Sequence, residues 1–64
     1  MQNENQQKQR IPEKEAAPYI GMSAMYLRIS RMRGDGPPYL KIGRSVRYDV
    51  RDLDSWLQTK RKAG

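Results

Sequence analysis

Between Arg33 and Tyr39 the chain reads Gly-Asp-Gly-Pro-Pro. No helix can continue through these residues. The glycines favour turn or left-handed backbone, and each proline lacks an N–H and pushes the residue before it toward extended conformation. Whatever precedes Gly34 must end there, and whatever follows Pro38 must begin extended. A chain of 64 residues is thereby divided into two halves that pack as one small unit.

The first half carries two helix signals. Pro12 followed by Glu13 and Glu15 marks a start, because proline is tolerated in a first turn and acids there complement the helix dipole. Ala16, Ala17 and Ile20 then share one face. Pro18 removes a backbone donor that would reach Lys14, so this helix is expected to be short or bent near its end. Gly21 can close it in the left-handed conformation, and Ser23 can cap a second helix predicted over Ala24 to Arg33. In that helix Met22, Tyr26, Ile29 and Met32 or Arg33 form one row, with Met25 and Leu27 to either side. Such a pattern leaves the roll of the helix open.

In the second half, Tyr39 to Ile42 and Ser45 to Tyr48 alternate at the period of a strand. Gly43 and Arg44 occupy the reversal, which makes a two-residue hairpin turn with an arginine at its tip. Leu40, Ile42, Val46 and Tyr48 are expected to face inward, and Lys41, Ser45 and Arg47 outward. Asp49 can cap a last helix, with Asp52 and Asp54 near its start and Lys60, Arg61 and Lys62 at its end. Leu53, Trp56 and Leu57 form its apolar stripe, and Trp56, the largest of them, is the expected centre of the core. The resulting organisation is an α+β domain over residues 11–60, with a disordered arm at 1–10 and a basic tail at 61–64. The arm is rich in Gln and Asn, a composition too polar to offset the entropy of ordering.

So short a chain buries only about 60% of the surface its unfolded form exposes, which leaves little room for an enclosed active site. It contains no cysteine and no histidine. Disulfides, thiol chemistry, the usual zinc ligands and the commonest general base are all excluded, so neither an enzyme nor a metal or other cofactor is expected. No apolar run reaches the roughly 18 residues of a membrane span, and the N-terminus has no signal-peptide pattern, so the expectation is a soluble cytoplasmic protein.

The formal net charge is +6, and its placement is more informative than its size. Arg28, Arg31, Arg33, Lys41, Arg44 and Arg47 lie in one stretch of twenty residues whose only acid is Asp35. A stripe of this kind suits a polyanion, nucleic acid before anionic membrane. Two helices joined by a tight glycine turn form a helix-turn-helix pattern, whose second helix can enter a major groove about 12 Å wide. The alternative is an ordinary helical hairpin with a solvated basic face. A basic β-hairpin directly after such a helix reads as a wing that touches phosphates or an adjacent minor groove. Its own alternative is a set of cations that keep an exposed edge strand from pairing with other chains.

From Pro12 to Leu57 the chain resembles the excisionase and AlpA-like group of the MerR-type winged helix-turn-helix superfamily. The resemblance rests on EKEAAPYIGMS, on GDGPPYLKIGRSVRYD and on RDLDSWL. Pro18 and Ser30 depart from it, standing where that group has a helix-friendly residue and a large apolar one. The resemblance implies a DNA-binding protein of a phage or integrative element: an excisionase that bends DNA beside an attachment site and directs an integrase toward excision. An AlpA-like transcriptional regulator of an integrase or prophage operon is the alternative, and a small protein-interaction module is a second one. The implied partners are double-stranded DNA, further copies bound cooperatively at adjacent sites, and a site-specific integrase. On the recognition helix the implied contacts are Ser23, Ala24, Met25, Tyr26, Arg28 and Arg31, with Arg28 suited to guanine or to phosphate. On the wing they are Lys41, Arg44, Ser45 and Arg47.

Overall fold

A computed structural model describes residues 9–62. In chain order the elements are β1 (Arg10–Pro12), α1 (Glu13–Tyr19), α2 (Ala24–Arg33), β2 (Leu40–Ile42), β3 (Ser45–Asp49) and α3 (Val50–Thr59). Three helices thus accompany one antiparallel sheet of three strands, ordered β1-β3-β2. The strand β1 is the addition to the expected order. Ile11 pairs with Tyr48 and Arg10 with Asp49, and the Gln9 carbonyl accepts from the Val50 N–H at 2.6 Å. Arg10 therefore belongs to the sheet and Gln9 is bonded to its edge, so that neither belongs to the arm assigned to residues 1–10. The rest of that arm, 1–8, lies outside the described residues, as do 63 and 64 of the tail.

Both ends of the helix pair are built as the residues dictate. Pro18 sits in the last turn of α1, and the carbonyl it leaves without an intrahelical donor belongs to exposed Lys14. Gly21, at φ +77°, reverses the chain. Its N–H donates to the Pro18 carbonyl and that of Met22 to the Ala17 carbonyl, a Schellman closure that only a residue tolerant of the left-handed region makes cheaply. Ser23 then caps α2, its Oγ accepting from the Tyr26 N–H at 3.0 Å. Gly34 ends α2 in the same left-handed way, with Asp35 N–H donating to the Ser30 carbonyl.

Ala16 and Ala17 of α1, Leu27 of α2, Tyr48 of β3 and Leu53 of α3 form the buried core, with Ile11, Ile20 and Val46 packed around it. Trp56 is not its centre. Tyr48 lies on the middle strand, where both neighbouring strands and the helices converge, and it takes that position. Trp56 is only half-buried at the side of α3, with Lys60 Nζ 5.2 Å from its ring centroid. Tyr19 of α1 donates from its hydroxyl to Asp54 of α3 at 2.6 Å and ties those helices together, an arrangement that pushes its pKa up.

The linker docks on α2 through two small residues. Ser30 is fully buried, its Oγ bonded back to the Leu27 carbonyl at 3.1 Å. A Cβ built on Gly36 would stand 2.4 Å from that Oγ. A large apolar residue at position 30 would leave no room for the linker here, which accounts for serine.

Candidate nucleic-acid interface

The roll of α2 is set by Leu27 and Ser30, which are buried, with Tyr26 and Arg31 half-buried beside them. Of the row Met22, Tyr26, Ile29 and Met32 or Arg33, only Tyr26 is half-buried and the others are exposed, while Leu27 from beside that row enters the core and Met25, on its other side, is exposed. Met25, Ile29 and Met32 lie about 140–200° around the helix from Leu27, and all three are exposed. Met22, in the turn ahead of α2, is exposed as well. The core has no space for them because α1 presents alanines to α2, which brings the helices close and admits one large side chain, Leu27.

This roll redistributes the six contacts expected on α2. Ala24, Met25 and Arg28 are exposed and available. Ser23 is exposed too, but its Oγ already serves the cap. Tyr26 is half-buried on the flank. Arg31 turns inward and is removed from the set of available contacts. Its guanidinium pairs with Glu13, donates to the Tyr48 hydroxyl at 3.4 Å and lies 5.7 Å from the centroid of Tyr39. The hydrogen bonds it donates to Tyr48 and Glu13 raise its pKa, so it remains charged. The reason for its inward turn is Tyr48: a fully buried phenol needs a partner for its hydroxyl, and leaving it unmet costs about 1–3 kcal/mol. Spacing carried this signal, since Arg31 is four residues from Leu27 and shares its face.

On the hairpin the turn is as expected, with Gly43 at φ +61° and Arg44 outside the left-handed region, the pattern of a type II′ turn. The faces differ from expectation. Leu40 pairs with Arg47, Lys41 with Val46 and Ile42 with Ser45, and directly opposed residues share a face. A two-residue loop therefore sets even positions of β2 beside odd positions of β3. Val46 and Tyr48 face the core, with Lys41, paired with Val46 and exposed, on their side of the hairpin. Leu40 and Ile42 lie on the other face with Ser45 and Arg47, and both are exposed. Lys41 is thus separated from Ser45 and Arg47, with which it was grouped.

Arg44 stands at the tip and is exposed. Arg47 is half-buried and donates to the Val46 carbonyl at 3.1 Å. Arg33 pairs loosely with Asp35 at 3.4 Å, both exposed. Within the stripe, Arg28, Lys41 and Arg44 have no ion-pair partner among the described residues. They are three point charges on an exposed helix face and a hairpin, with no acid on either element before Asp49. Ile29 and Met32 join the candidate surface, and the 25-29-32 spacing was the sequence sign that they share Met25's face.

Asp49 is engaged in structure. Its carboxylate caps α3 by accepting from the Arg51 N–H at 2.9 Å and forms a two-pronged pair with the Arg51 guanidinium. The Arg51 side-chain and backbone bonds hold its pKa below the ordinary carboxylate value. No family model matches the chain, and no curated protein matches it either. Among the described residues no helix is long and apolar enough to cross a membrane.

Proposed function

We propose that α1, the Gly21 turn and α2 act as a helix-turn-helix, with β2 and β3 as its wing, in a sequence-specific binder of double-stranded DNA. In this reading α2 lies in a major groove, Arg28 meets a guanine edge or a phosphate, and Arg44 reaches the backbone or neighbouring minor groove. The observation that carries it is that Arg28, on an exposed face of a capped helix, and Lys41 and Arg44, on the hairpin that follows it in the chain, are all exposed and have no ion-pair partner among the described residues. Since Lys41 and Arg47 lie on opposite faces of the hairpin, Arg44 and Lys41 are its primary phosphate contacts and Arg47 a lesser one.

The function proposed is that of a phage or integrative-element excisionase, which bends DNA near an attachment site and biases an integrase toward excision. Its place of action is the bacterial cytoplasm, on the nucleoid. No catalysis by this chain is involved. One unit covers little DNA, so binding is proposed to be cooperative across adjacent sites. A transcriptional regulator would use the same surface without the bend. Footprinting on the DNA flanking the gene and on the attachment site, with circular-permutation gels on any protected fragment, tests both levels. Protection with a bend supports the excisionase, protection without one supports the regulator, and absence of protection on both fragments contradicts DNA binding. The exposed row Met25, Ile29 and Met32 is the observation that favours a protein-interaction module, the reading left standing by that last result.

A further inference from the structure

The outer face of α2 has an unusual chemistry for a helix proposed to read base edges. Met25, Ile29 and Met32 are 57%, 43% and 78% exposed and point directly away from the core. The helix AMYLRISRMR contains no Asn, Gln, Asp or Glu, the side chains that would pair with adenine or accept from cytosine. The two serine hydroxyls of this region are committed, the Ser23 oxygen to the cap and the Ser30 hydroxyl to the Leu27 carbonyl, and Tyr26 is half-buried on the flank. What remains on this face is three apolar side chains, Ala24, and the guanidinium of Arg28 at their edge.

Resting on the DNA-binding reading above, we propose that the Met25, Ile29 and Met32 row recognises the C5-methyl groups of thymine. The selected site is then marked by thymines in the major groove, with Arg28 adding at most one guanine. The thymine methyl is the one apolar group that a base pair presents in that groove. From Met25 to Met32 the row spans about 10 Å of helix axis, the rise of about three base steps. Methionine adapts its unbranched chain to such a patch, while Ile29 between the two is stiffer and fixes the register.

Charge selects this occupant over a second copy of the chain. Arg28 and Arg33 flank the row, Lys41 and Arg44 lie on the following hairpin, and the chain carries +6, so face-to-face pairing of copies would oppose like charges. A duplex supplies phosphates on both sides of an apolar methyl track and meets both chemistries at once.

The test begins with selection of duplexes from a random pool by the full chain. Each selected duplex is then remade with uracil in place of thymine, which removes the methyl and keeps the hydrogen-bonding edge. We expect about a fourfold loss of affinity for each contacted methyl, the factor for burying one such carbon. Met25→Ala and Ile29→Ala alter exposed side chains only, and in each the thymine-to-uracil ratio is expected to fall toward one. Equal binding of thymine and uracil duplexes, or a ratio the two variants leave unchanged, overturns the inference while leaving DNA binding intact. Failure to enrich any duplex overturns the DNA-binding reading itself, and this inference with it.

Discussion

The two sides of α2 use the same kinds of residue to opposite ends. Inward, Leu27 fills the core, Ser30 makes room for the linker, and Arg31 satisfies a buried phenol and an acid. Outward, Met25, Arg28, Ile29 and Met32 are exposed and lie outside the buried core. An arginine and a large apolar residue appear on each side, so residue type alone does not separate structure from function. Contact does, and substitutions at matched positions should part company accordingly.

The widest gap is expected between Leu27→Ala and Ile29→Ala. The first leaves a cavity under a fully buried side chain and should cost about 3 kcal/mol, much of the stability of so small a domain. The second should change stability by no more than about 0.5 kcal/mol. Urea denaturation followed by circular dichroism measures both, and equal losses would contradict the outward placement of Ile29.

The arginines make the next comparison. Arg31→Ala breaks a partly buried pair and strands the Tyr48 hydroxyl, an expected loss of about 2 kcal/mol. Arg28→Ala should leave the midpoint of unfolding where it is and weaken DNA binding instead. A loss of about 1–3 kcal/mol confined to one base position would assign Arg28 to base readout, and uniform weakening to a phosphate. Gly36→Ala probes the inner side from the linker: its Cβ would press on Ser30, and an overpacking cost of about 1–2 kcal/mol is expected.

The smallest effect lies away from α2. Asp49→Ala removes the cap of α3 and should cost about 1 kcal/mol at neutral pH. Because folding lowers the Asp49 pKa, its contribution is complete above the ordinary carboxylate value of about 3.9 and is lost as pH falls through the lower folded value. Asp49→Asn keeps an acceptor but cannot titrate, so its stability should fall less than the wild type's in that acid range.

Much of this fold was readable where chemistry marks an end. Ser23 and Gly34 bound α2 at the predicted residues, and Gly21 and Gly43 reverse the chain where their left-handed tolerance is needed. What the residues did not disclose was orientation. A helix apolar on both sides offers two cores, and only the alanines of α1 and the phenol of Tyr48 choose between them. The hairpin faces depend on the two-residue loop, which sets even positions of β2 beside odd positions of β3, and alternation within each strand alone does not carry that register. The three residues of β1 are too few to show a period, and Pro12 closes that strand while opening α1. Of the candidate surface, Arg28 and Arg44 were legible as exposed cations, whereas the loss of Arg31 to the interior depends on a contact with Tyr48 seventeen residues away.

The claim that the outer side of α2 and the hairpin tip together form a DNA-binding surface is tested most directly by a salt titration. Affinity for a duplex carrying the protein's own site would be measured against salt for the wild type and for Arg44→Ala. With Lys41 and Arg44 each meeting a phosphate, and Arg28 a third where it does not read a guanine, log K should fall against log salt with a slope of about −2 to −3, and Arg44→Ala should make it shallower by about 1. A slope near zero, or one that Arg44→Ala leaves unchanged, would contradict it.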